Sequence, residues 1–186
     1  ELPDGRKVKP IMVKHLNRHR IPTLFPYLLE TIASLSGLTK VSFISSNPWD
    51  FSDELIDVMA RHKNIDRTLH LPVQSGSNAI LKKMNRWYTR EEYLSLIDRI
   101  RTKIPDIIFT TDIIVGFPGE TRQDFEDSID LVKRVDFAKT FIAWFSPRPG
   151  TAAAKILDDV LIEEKQRRFH ELDAVAFKGK KRSSNI

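Results

Sequence analysis

The sequence predicts an α/β fold built on a parallel sheet. Two observations carry this. β-prone apolar runs alternate with stretches of helical periodicity through most of the 186 residues, the pattern of strands joined by helical crossovers. Polar, glycine-containing segments also follow the apolar runs, where a parallel sheet gathers its ligand loops. The runs are Val41–Ile44, Thr68–Leu71, Ile107–Val115 and Phe141–Phe145. Ile107–Val115 is almost entirely apolar or β-branched, as in a strand covered on both faces.

The helices follow from spacing and caps. Phe25, Leu28, Leu29, Ile32 and Leu35 lie at helical intervals, with Gly37 as a stop. Ser52 precedes a helix with Leu55, Ile56 and Met59 as its apolar stripe. Ser77 caps a short helix holding Ile80, Leu81 and Met84. Thr89 followed by Glu92 is a capping-box pattern that opens a helix ending before Pro105. Thr121 caps a further helix with Phe125, Ile129 and Val132 inward. A last helix starts at about Leu161 and buries Ile162, Phe169 and Leu172, before a basic tail from Lys178 that is expected to fray. Residues 1–24 show little periodicity and read as a basic extension or loop, residues 25–176 as the folded body and 177–186 as a tail.

Composition narrows the function classes. Hydrophobic residues make up 41% and charged residues 30%, which fits a water-exposed globular domain with a core of its own. No run is long enough to span a bilayer, and the N-terminus has no apolar stretch of the secretory type. There is no cysteine, hence no disulfide and no thiolate nucleophile or ligand. Cytoplasm is the expected compartment. The net charge of +5 is uneven: residues 1–23 carry +4, residues 165–186 carry +5 and the body between them −4. Basic ends on an acidic body suit contact with a polyanion, or serve solubility alone.

The post-strand segments hold the candidate site residues. In Leu71–Ser77, Gln74 offers an amide, and Ser75, Gly76 and Ser77 permit close approach of a ligand or form an ordinary strand-to-helix turn. Asp112 is a carboxylate within an apolar strand, which requires a partner or a rim position. Gly116 and Gly119 frame a fixed Phe-Pro loop that leads to Glu120 and Thr121 at a helix start. Arg148 sits between two prolines, presented to a phosphate or carboxylate or paired with a nearby acid. Ser45 and Trp49 follow the first run, and Trp49 either stacks on a base or covers the sheet. His70, within a strand, reads as a satisfied structural histidine. No P-loop, zinc or serine-hydrolase motif is present.

Taken in order, SSNPWDFSDELID, LHLPVQSGSNAILKKMNRWYTREEYLSLIDRIR, TTDIIVGFPGETRQDFEDSIDLV and FSPRPGTAAAK resemble the radical-SAM methylthiotransferases, most closely the branch acting on tRNA. The likeness covers roughly Phe25 to Glu171. Trp87 and Asn47 depart from the family pattern, which often has Gly and His there. The resemblance implies a partial, TIM-like (β/α) half barrel. It also implies S-adenosylmethionine across the strand C-termini and a [4Fe–4S] cluster that reduces it to a 5′-deoxyadenosyl radical. The product would be a methylthio group at C2 of an N6-isopentenyl-type adenosine beside the tRNA anticodon. By motif, Ser45, Gln74, Ser75, Gly76, Asp112, Gly116 and Gly119 would face S-adenosylmethionine, with Arg148 and Trp49 toward the substrate. The family's CxxxCxxC loop is not in this sequence. Its cluster domain, its first barrel strands and its RNA-binding β-domain are expected to lie outside it as well. The chain therefore reads as the later part of the barrel, inactive alone. A non-catalytic module that binds S-adenosylmethionine or RNA is the alternative. A barrel without its first strands would expose a sheet edge prone to association.

Overall fold

The computed structural model describes residues 5, 7–15, 18–44 and 47–183. The chain opens with an antiparallel hairpin, β1 (Ile11–His15) and β2 (Arg18–Thr23), with an irregularity between Val13 and His15. This corrects the expectation of a loop through residue 24. Pro22, which has no N–H to give, sits in β2 opposite Met12, and no alternation of apolar residues signals the pair.

Helix α1 (Phe25–Ala33) ends at the cap Ser34, earlier than expected, and Gly37 (φ 80°) instead turns the chain three residues further on. Val41–Ile44 does not form a strand. Val41 makes a single parallel bridge to Ile65, through hydrogen bonds with Asn64 and Asp66, before the chain turns through the 3₁₀ segment Pro48–Asp50. Helix α2 (Asp53–Arg61) is capped by Ser52, whose Oγ accepts from the Leu55 N–H.

The main sheet has three parallel strands in the order β3 (Thr68–His70), β4 (Ile108–Val115), β5 (Lys139–Trp144). Helices α3 (Asn78–Lys83) and α4 (Arg90–Lys103) join β3 to β4, and α5 (Arg122–Val135) joins β4 to β5. The expected caps at Ser77, Thr89/Glu92 and Thr121 are all present, the last as a capping box completed by Asp124. Helix α6 (Ile162–Ser183) packs on β5 and α5. It buries Leu172 but leaves Ile162 48% exposed, and it continues through the basic segment expected to be a frayed tail.

Burial alternates along β4. Phe109, Thr111, Ile113 and Val115 are buried with the helices, whereas Ile108 is exposed and Thr110, Asp112 and Ile114 are only half-buried. The sheet is therefore closed on its helical face and partly open on the other, not covered on both faces as the composition of β4 suggests. In register, the open face carries His70, Thr110, Asp112, Lys139 and Phe141.

One irregularity shapes the site. The ladder between β3 and β4 runs to the Leu71 N–H on the Thr110 carbonyl and resumes at a bridge between Gln74 and Ile113, so β3 carries an extra residue around Pro72. The freed backbone groups find side-chain partners. Thr111 Oγ1 accepts from the Val73 N–H and donates to the Leu71 carbonyl, both at 3.0 Å. Tyr93 donates to the same Leu71 carbonyl at 2.8 Å, and Tyr88 donates to that of Val73 at 2.8 Å. Burial pushes both phenols up, so they remain donors at ordinary pH.

Removing the hydroxyl at the centre of this set strands a buried N–H. Thr111→Val, nearly equal in shape, is expected to lower stability by about 1–3 kcal/mol, read as a lower urea midpoint with unchanged slope. The exposed Thr68→Val on the same sheet should change stability by less than about 0.5 kcal/mol.

Candidate functional site: the open face beside the Pro72 bulge

The bulge brings Gln74 and Asp112 together. The Gln74 N–H donates to the Asp112 carbonyl at 2.9 Å, and the Gln74 carbonyl accepts from the Ile114 N–H at 2.9 Å. Gln74 holds a φ of 73°, a region that costs a non-glycine residue free energy and persists where surrounding structure enforces it. Its side-chain amide has no hydrogen-bond partner among the described residues, although the residue is only 9% exposed. Gly116 follows the C-terminal end of β4, four residues beyond Asp112.

Beside Gln74 lies a cluster that sequence reasoning did not assemble. His70 Nε2 is 3.3 Å from Asp112 Oδ2, and His70 Nδ1 is 2.9 Å from Thr110 Oγ1. The ring meets Phe141 edge-on at 5.7 Å between centroids. The histidine is hydrogen-bonded as its strand position implied. The signal for its partner was the register: Asp112 lies two residues beyond Thr110, which pairs with His70.

The other expected site residues that are described make the following contacts. Ser75 is fully buried, and its Oγ accepts from the Ser77 N–H at 3.2 Å. Gly76 lies against a helix: a Cβ there would lie 2.4 Å from the Asp127 carbonyl oxygen, and its N–H donates to Ser128 Oγ at 2.8 Å. Ser75 and Gly76 thus pack the turn after the bulge against α5. The N–H groups of Gly116 and Gly119 are likewise taken, by Glu120 Oε2 and Asp159 Oδ1, each at 2.6 Å. Trp49 is half-buried against Tyr88, with ring centroids 5.4 Å apart, and so covers the core. Arg148 is exposed on a turn closed by Thr151 onto the Arg148 carbonyl. Ser45 lies outside the described residues.

Glu120 does not sit at a helix start in solvent. Its side chain is fully buried, and Oε2 accepts from Arg168 Nη1 at 2.6 Å. Burial pushes the carboxyl up, opposed by Arg168 and the Gly116 N–H. From the first turns of α6, Lys165 lies against Gly116 and bonds Asp158 at 2.6 Å, while Arg168 also holds Glu164. The helix thus clamps the Gly116–Glu120 loop from outside. Hydrogen bonds from Arg167, and after it Arg168, hold the Glu164 carboxyl down to about 2 against partial burial.

The larger grooves lie elsewhere. One of about 600 Å³ runs along α4 between Asp53, Arg99 and Arg134, and one of about 460 Å³ is walled by Trp49, Trp87 and Tyr88. Neither includes His70, Gln74 or Asp112. The first is a charged helical surface already laced by Arg99–Asp53 and Lys103–Asp57 pairs, so the strained, polar open face is the better site.

Residues 21–132 match the Radical SAM superfamily. The chain belongs to the radical SAM superfamily. It is 53% identical over 146 residues to the tRNA-2-methylthio-N(6)-dimethylallyladenosine synthase of Thermotoga petrophila, covering 78% of this chain and 33% of that protein. The synthase of the same name from Carboxydothermus hydrogenoformans is 52% identical over 149 residues, covering 80% and 34%. The chain thus spans about a third of the length of these curated relatives. Among solved structures, methylornithine synthase superposes with a TM-score of 0.57 at 15% identity, covering 82% of this chain and 43% of that one, a likeness of fold. Among the described residues, no helix is long and apolar enough to cross a membrane.

Two tests follow. Gly76→Ala should cost about 1–3 kcal/mol in chemical denaturation, because the helix backbone must move; a residue that only contacted ligand would leave stability unchanged. Because the Glu164 carboxyl is depressed in the folded chain, its contribution is complete above the ordinary glutamate range and is lost as pH falls from ~4.3 toward 2. An acid titration followed by circular dichroism should be flatter in that window for Glu164→Gln. Equal slopes would contradict the clamp.

Proposed function

We propose that this chain is part of a tRNA methylthiotransferase, the part that holds S-adenosylmethionine against the open face of the sheet. The observation that carries the reading is 53% identity over 146 residues to an enzyme named tRNA-2-methylthio-N(6)-dimethylallyladenosine synthase. The reaction adds a methylthio group to C2 of an isopentenylated adenosine, and the partner is the anticodon stem-loop of tRNA. The site of action is the cytoplasm.

The donor set fits one of the two implied groups. Asp112, half-exposed beside the unpartnered Gln74 amide, suits a ligand with a cationic ammonium or sulfonium and polar ribose hydroxyls. Gln74 and Asp112 would hold S-adenosylmethionine; Gly76, Gly116, Lys165 and Arg168 shape the loops around it. A [4Fe–4S] cluster, when bound, supplies the electron that cleaves the sulfonium. These residues do not fit it: the 186 residues include no cysteine to ligate iron. No group of three or more potential metal ligands is found among the described residues. Cluster chemistry therefore requires thiolates from outside this stretch. The edge strands of the main sheet, β3 and β5, are where further strands or another chain would add.

Two experiments test the reading. This chain, incubated anaerobically with iron and sulfide, should stay colourless; a brown, iron-loaded preparation would contradict the assignment of ligands. A chimera of the Thermotoga petrophila synthase carrying this chain's matched residues should retain methylthiolated adenosine in tRNA, read by nucleoside mass spectrometry. A folded, cluster-loaded chimera that leaves tRNA unmodified would sink the proposal.

A further inference from the structure

The cradle assigned to Gln74 and Asp112 leaves the imidazole of His70 without a task. Both of its nitrogens are engaged. Nδ1 meets the Thr110 hydroxyl at 2.9 Å and Nε2 meets the Asp112 carboxylate at 3.3 Å. Phe141 fixes the ring edge-on. A hydroxyl both donates and accepts. With a neutral ring, Thr110 donates to Nδ1 while Nε2–H points at Asp112. With a charged ring, Thr110 accepts from Nδ1–H. The imidazole can therefore change charge without leaving its place. Both side chains reach solvent, at 29% exposure for His70 and 39% for Asp112, so protons and a ligand have access.

One other charge lies on this face, opposite Thr110 in register. Lys139 of β5 shares the face, and its Nζ lies over the Phe141 ring at 4.6 Å. Among the described residues of the three strands, the open face presents no further titratable group. The charge of the His70–Asp112 pair itself is set by the state of His70: negative with a neutral ring, near zero with an imidazolium.

We propose that His70 and Asp112 act as one protonatable unit that accepts a cationic ligand group, an ammonium or sulfonium, only when the imidazole is neutral. Binding of the cation is then linked to release of a proton from the ring. This rests on the reading of the face as the S-adenosylmethionine cradle and adds a positioning and gating role for His70. An imidazolium competes with the ligand for the same carboxylate, so affinity falls as pH drops through the range in which imidazoles charge. Equilibrium linkage requires the reverse as well: the bound cation lowers the proton affinity of the ring.

The test is calorimetric titration of the 186-residue chain with S-adenosylmethionine at about pH 7 and about pH 5.5, where the ligand's own α-amino group stays largely protonated. The wild type should bind several-fold more weakly at the lower pH. His70→Gln should show a ratio near one between the two pH values, and Asp112→Asn should bind weakly at both. A wild-type pH ratio that survives unchanged in His70→Gln overturns the gate and leaves the S-adenosylmethionine reading standing. No binding at either pH overturns both.

Discussion

The site depends on a proline in a parallel ladder. Pro72 cannot donate to β4, and the extra residue it introduces would leave buried backbone groups of Leu71 and Val73 without partners. Thr111, Tyr88 and Tyr93 supply those partners from the neighbouring strand, from the turn before α4 and from the first turn of α4. A buried unpaired backbone group costs a few kcal/mol, comparable to a large share of a domain's net stability. Four such bonds therefore fix the bulge in one form. That form turns Gln74 into a left-handed conformation and returns it to pairing beside Asp112.

The two sides of the sheet divide the labour. The helical side is apolar and close-packed, and it uses glycines where backbones meet, as at Gly76 against α5. From outside, α6 holds the Gly116–Glu120 loop with Arg168 and Lys165, so the loop that ends β4 owes its shape to residues some 48 positions later in the chain. The open side keeps its polar residues half-exposed. There the histidine, threonine and carboxylate of adjacent strands form a small network next to a strained amide.

Local features were legible in the sequence. Caps at Ser52, Ser77, Thr89 and Thr121 stand where their side chains read, because an N-cap is decided within four residues. Strand positions were also legible where β-branched runs meet a proline or glycine. What failed was non-local. The hairpin of residues 11–23 has no alternating pattern to announce it. Val41–Ile44 has strand-like composition but only one bridge. Glu120 reads as a helix-start acid until α6 packs over it and pairs it with Arg168. At the site, Gln74 and Asp112 were named from motif positions, whereas the contact of His70 with Asp112 needed the register. The glycines were legible as tight places but not as to what fills them: helix backbone at Gly76 and lysine side chains at Gly116 and Gly119.

The central claim is that the open face beside the bulge is the ligand cradle. Backbone amide shifts mapped by NMR during titration with S-adenosylmethionine test it residue by residue. The largest shifts are expected at residues 70, 71, 73–75, 110–114 and 141. Shifts confined to the Trp49–Trp87 groove, or to the Arg148 turn, would contradict it.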